Sequence, residues 1–168
     1  PMVYKWVSMG DIDFQKIDRI SEYVLAAIYF VVVASGLFSW VIPYFLPQEY
    51  EKVQILITIC LIGPLFYTLS ETTAVGIAIT RKTKFSMYAS IIAMIVGVIG
   101  SYLLVPILGA SGAAISLAVS FWVFYIMRTE FSKIVWREIP FIKSYWISFI
   151  LLFLAIVNIF ISVGNIYR

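Results

Sequence analysis

Five long stretches of the chain are almost free of charge. Residues 23–45, 86–105, 109–127 and 144–167 carry none, and 53–80 carries one, Glu71. Each is close to or above the ~20 apolar residues that cross a hydrocarbon layer ~30 Å thick as an α-helix. None alternates apolar and polar residues with a period of two, which excludes transmembrane strands. The pattern predicts an all-α integral membrane fold. A lead-in over residues 1–22 precedes a bundle of about five helices filling 23–168.

The segments between the runs set the direction. Before the first run lie Lys5, Lys16 and Arg19; between the second and third lie Arg81, Lys82 and Lys84; between the fourth and fifth lie Arg128, Lys133, Arg137 and Lys143. These ten cations fall on one side, against Lys52 and Arg168 on the other. Lys and Arg concentrate in cytoplasmic loops, so the basic gaps, and the lead-in with them, are predicted to be cytoplasmic. Arg81, Lys82 and Lys84 are then the cytoplasmic basic edge of the second run, and a topology anchor suffices to explain them. The inner linker, residues 128–143, mixes charge with Ile134, Val135, Trp136, Ile139 and Phe141 and is predicted to ride the membrane surface as an amphipathic segment.

Composition narrows the chemistry. Charged residues make up 12% of the 168, about half the ~25% of soluble domains. Mean hydropathy is +1.00, so lipid is expected to be the solvent for much of the surface. The net charge of +3 is spread over the gaps and makes no nucleic-acid patch. There is no histidine, which removes the commonest catalytic base and metal ligand. The single cysteine, Cys60, reads as a small buried packing residue. The chain begins at Pro1 without a signal-peptide pattern and is expected to be a fragment.

Two local features go beyond class. The first is a stripe of small residues. Ala89, Ala93, Gly97 and Ser101 recur every four positions, and Gly112, Ser116 and Ser120 repeat the spacing on the next run. Small residues let membrane helices approach closely, so residues 86–127 are predicted to form a tightly packed hairpin. Pro106 is expected to end its first helix, with Gly109 and Gly112 allowing a tight return. The second feature is Glu71, flanked by Tyr67, Thr68, Ser70, Thr72 and Thr73. Such a carboxylate either marks an ion or substrate path, with Tyr67 and Thr68 beside it, or meets water or a cation near the inner interface. The hydroxyls either line a cavity or bond back to their own helix. Pro64 is expected to bend this second helix.

The segment LLVPILGASGAAISLAVS (103–120) resembles a turn of polysaccharide and O-antigen flippases, members of the multidrug/oligosaccharidyl-lipid/polysaccharide exporter superfamily. PMVYKWVSMGDID resembles the cytoplasmic approach to their C-terminal lobe, LPQEYEKVQILI a short outer turn and GIAITRKTKFSMYASII an inner turn. The resemblance implies that the chain forms most of the second helical bundle of a two-bundle transporter. Its partners would be membrane lipid, a lipid-linked oligosaccharide and an N-terminal bundle of the same protein. It implies a multi-pass protein of a bacterial or archaeal cytoplasmic membrane that moves a polyprenyl-pyrophosphate-linked sugar by alternating access. No cofactor is implied beyond proton or sodium coupling. Two departures are Gly97, near which the family often has Asn, and Ile107, where a basic or aromatic residue is common.

A cation-coupled drug exporter of the same superfamily and a non-catalytic membrane subunit are the alternatives. A membrane enzyme needs a positioned acid, base or nucleophile, and no such constellation is present in the sequence.

Overall fold

The computed structural model describes residues 51–136 and 142–166, together with Arg19, Tyr23, Val24, Ala26, Ala27, Ile28, Phe30, Val31 and Ala34, which are helical. Apart from Arg19, the lead-in over residues 1–22 lies outside the described residues, as does most of the first expected span. All regular structure among the described residues is helical; from residue 51 on it forms five elements: α1 (Glu51–Thr73), α2 (Val75–Ile79), α3 (Lys84–Leu108), α4 (Ala110–Val135) and α5 (Ile142–Ile166). Two of them, α3 and α4, are long and apolar enough to cross a membrane, and α5 holds a shorter apolar stretch, Ser144–Phe160.

α4 is the centre of the arrangement, packed against α3, α1 and α5. Its pairing with α3 is antiparallel: Phe85 meets Phe131, Gly97 faces Ser120, Gly100 faces Ser116 and the Leu104 backbone abuts Gly112. Its pairing with α1 is parallel. Gly63 faces Phe121, Tyr67 stacks on Phe124, Glu71 meets Arg128, Thr73 meets Thr129 and Gly76 meets Ser132, each pair 56 to 58 residues apart. The core between α1, α4 and α5 is apolar, with Ile59, Ile62, Phe66, Leu69, Ile115, Tyr125, Leu152 and Ile159 buried in one cluster.

The expected helix over 53–80 is two pieces. Ala74 leaves helical geometry (φ −85°, ψ 15°). The Gly76 N–H then donates to Ser132 Oγ on α4 at 3.0 Å, outside the α1–α2 backbone. A hydroxyl from a neighbour thus satisfies the backbone group that the break frees, as buried backbone polar groups require. Pro64 lies within the unbroken part of α1, so the interruption falls ten residues beyond it.

Pro106 does not end α3, which continues to Leu108. A proline in the last turn leaves one carbonyl without its donor, a small loss where carbonyls are running out of partners anyway. The reversal comes at Gly109, whose φ of 58° and ψ of −132° favour glycine. Its N–H closes on the Val105 carbonyl at 2.8 Å.

The inner linker is also corrected. Residues 128–135, expected along the membrane surface, extend α4 as helix, while 137–141 lie outside the described residues. Arg128, Glu130 and Lys133 did not mark a helix end because each has a partner on or beside the helix. Cys60 is exposed rather than buried.

Close approach makes two glycines irreplaceable. A Cβ on Gly76 would lie 2.6 Å from Ser132 Oγ and 2.9 Å from the Ser132 carbonyl oxygen; one on Gly112 would lie 2.3 Å from the Leu104 carbonyl oxygen. At Gly97 it would meet only the Ser120 side chain, 3.1 Å from Oγ. Gly76→Ala and Gly112→Ala are each expected to lower stability by about 1–3 kcal/mol, and Gly97→Ala by less. Unfolding by SDS titration in dodecyl maltoside measures that order.

Candidate functional site

Polar side chains line the α1–α4 seam because hydroxyls recur at matched spacing on both helices. Ser70, Thr73 and the Gly76 N–H rise along one; Tyr125, Thr129 and Ser132 rise along the other. Thr129 Oγ1 donates to the Tyr125 carbonyl at 2.8 Å, so Thr73 Oγ1 is the donor in its 2.7 Å bond to Thr129. This pair is fully buried.

Glu71 stands at the edge of that seam. Its Oε1 accepts from Arg128 Nη1 at 2.5 Å, and the same nitrogen lies 3.0 Å from Ser70 Oγ. The carboxylate side chain is 51% exposed and the arginine side chain 12%. Arg128 lies over the Phe124 ring at 5.2 Å, and Tyr67 stacks on that ring at 5.9 Å. Tyr67, Phe124 and Arg128 therefore form one layered contact across the two helices. Arg128 Nε is buried and has no hydrogen-bond partner among the described residues. Buried donors of that kind are few in folded proteins, so this guanidinium holds unused capacity.

The antiparallel pairing fixes the depth of the site. Continued from Gly100–Ser116 and Phe85–Phe131, it puts Arg128 level with Tyr88. That is four residues into α3, roughly 6 Å from its basic start. Glu71 thus sits nearer the basic edge than the middle of the bundle.

Thr68, expected beside Glu71 on a path, donates its hydroxyl to the Pro64 carbonyl at 2.9 Å. Ser70 and Thr72 likewise bond back to the Tyr67 and Leu69 carbonyls. Of the two readings of this hydroxyl cluster, bonding to the helix itself is what the structure has. Arg81 and Lys82 lie in the α2–α3 turn and Lys84 opens α3, all three exposed. On the hairpin, Ala89 and Ala93 are buried and Gly97 and Ser101 partly so; Ser120 Oγ donates across to the Ala93 carbonyl at 2.6 Å, while Gly112 and Ser116 are buried on α4.

A second polar cluster ties α4 to the start of α5. Tyr125 and Ser144 share a 2.7 Å hydrogen bond, Tyr145 and Lys133 both donate to Glu130 Oε1 at 2.6 and 2.7 Å, and Lys133 lies over the Tyr145 ring. Among the described residues no group of His, Cys, Asp or Glu can hold a metal.

Sequence reasoning missed Arg128 as a site residue, because it was counted with the inner cations. The signal was present in the one-face helical spacing of both sets, three and three for Ser70–Thr73–Gly76 and four and three for Tyr125–Thr129–Ser132. No family model, curated protein or solved structure matches the chain.

Glu71→Gln keeps an oxygen acceptor for Arg128 at a half-exposed position, and its expected cost in stability is below ~1 kcal/mol. Arg128→Ala removes the bonds to Ser70 and Glu71 and the cover over Phe124, and its expected cost is about 1–3 kcal/mol. The same SDS titration compares the two variants.

Proposed function

We propose that this chain is the C-terminal part of a lipid-linked oligosaccharide flippase of a cytoplasmic membrane, crossing the bilayer about five times and moving its cargo by alternating access. The observation that carries the reading is the Glu71–Arg128 pair on the outward side of α1. That side also exposes Cys60, Pro64, Tyr67 and Thr68. Glu71 lies between the basic edge and the middle of the bundle, where the full cost of a charge at the bilayer centre does not apply but contact with acyl chains is still unfavourable. A half-exposed carboxylate with a buried guanidinium behind it therefore belongs on water or on another protein surface.

The outward side of α3 is different. It exposes Met94, Val98, Ile99 and Tyr102 and no charge beyond Lys84. One side of the bundle suits lipid and the other an internal passage, which is the division expected of half a transporter. α4 binds α1, α3 and α5 into one unit through hydroxyls, small residues and an ion pair, and repeat units of this kind rock as bodies in alternating access. The resemblance of 103–120 and the flanking turns to flippases supplies the cargo class.

Two measurements test this. In cells lacking the protein, wild type should restore surface glycan; Glu71→Gln should reduce that transport several-fold with abundance near wild type. Restored drug efflux without glycan would overturn the cargo. In membranes, the sole cysteine, Cys60, should react with a charged, water-soluble methanethiosulfonate. A cysteine placed at Val98 in a C60S background should not, and equal reactivity of the two would remove the passage from α1.

A further inference from the structure

The cations of α3, of α4 and of the turn before α3 fall into two groups. Arg128 and Lys133 are each engaged by a carboxylate, Glu71 and Glu130. Arg81, Lys82 and Lys84 have no ion pair or hydrogen bond through their side chains among the described residues, and all three are exposed. Arg81 sits at φ 54°, a left-handed conformation that costs a non-glycine residue energy and reverses the chain sharply into α3. Three uncompensated cations are thereby gathered within four residues at the foot of one helix.

That helix is α3, the most apolar and least covered of the candidate spans. Above the cations its open side shows Met87, Ile91, Met94, Val98 and Tyr102. Exposed polar side chains on it are few, and Ser90 donates its hydroxyl to the Ser86 carbonyl. The side opposite, through Ala89, Ala93 and Gly97, is taken up by α4. A ligand covering the open side must be anionic at one end and apolar for the length of a helix.

We infer that the α2–α3 turn and the open side of α3 form a binding edge for anionic phospholipid: the headgroup phosphate is held by Arg81, Lys82 and Lys84, and the acyl chains lie along Met87, Ile91 and Met94. The inference rests on the membrane-spanning part of the proposed function and not on the cargo. All three cations are exposed, and the open apolar side of α3 begins beside them. Attraction of a basic residue near a membrane surface to anionic lipid corresponds to roughly five-fold per cation engaged. It weakens as salt shortens the screening length.

The test uses the full chain reconstituted in phosphatidylcholine vesicles with spin-labelled phosphatidylglycerol or spin-labelled phosphatidylcholine. The motionally restricted fraction of each label gives their relative affinity. Wild type at low salt is expected to prefer phosphatidylglycerol at least roughly five-fold. The preference should fall to near one in R81Q/K82Q/K84Q and drop substantially in wild type at high salt; the salt arm stands if the triple variant fails to insert. K84Q alone should give an intermediate value.

A wild-type ratio near one with restricted lipid present overturns the inference and leaves the membrane reading intact. Absence of any restricted lipid overturns both. Retention of the preference in the inserted triple variant overturns the inference, as does displacement of the headgroup by inorganic pyrophosphate beyond that by sulfate at matched ionic strength, which would make the turn a soluble-anion site.

Discussion

A helix without bulky side chains along its contact line can be approached to backbone distance, and α4 is approached in this way from two sides. Against α3 the contact line is Gly97, Gly100 and Gly112, facing Ser120, Ser116 and the Leu104 backbone. Against α1 and α2 it is Gly63 and Gly76, facing Phe121 and Ser132. Between apolar helices in lipid no hydrophobic force drives association, so contact area and interhelical hydrogen bonds carry it. Close approach supplies both: Ser120 reaches the Ala93 carbonyl and Ser132 the Gly76 N–H. Were these positions bulkier, the bonds from Thr73 to Thr129 and from Arg128 to Ser70 would be out of reach.

The site inherits its form from that geometry. A parallel pairing whose offset stays within 56 to 58 residues brings Glu71 to Arg128 and Tyr67 to Phe124 on the same stretch of the seam. The arginine is buried because helix α4 holds it between Ser70 and the Phe124 ring, and the carboxylate stays half open because it lies at the rim. The charges at this level neutralise each other, while those of the α2–α3 turn do not.

Much of the helical content was legible in the uncharged runs, since an apolar stretch of ~20 residues has few alternatives to a helix. The α3–α4 hairpin could be read from four-residue spacing, because small residues at that period occupy one stripe. The ends were read less well. Charge was taken as the end of α4, yet Arg128, Glu130 and Lys133 continue it, because side-chain partners on α1, α5 and α4 itself absorb the charge. Proline was taken as the stop of α3, yet the glycine three residues later makes the turn. The break at Ala74 left no mark in composition; it depends on Ser132, fifty-eight residues away, offering an acceptor. Cys60 was judged by its apolar neighbours, but the side of a helix it occupies follows from where α4 packs.

The near-constant offset between α1 and α4 also limits how the bundle can move. Sliding one helix along the other by a turn would disengage Glu71, Thr73, Tyr67 and Gly76 from their partners together, and Gly76 would bring a neighbouring side chain against Ser132. The two helices are keyed like a toothed rack. Displacements of α1 therefore carry α4 with it, and the bond from Gly76 to Ser132 carries α2 along as well.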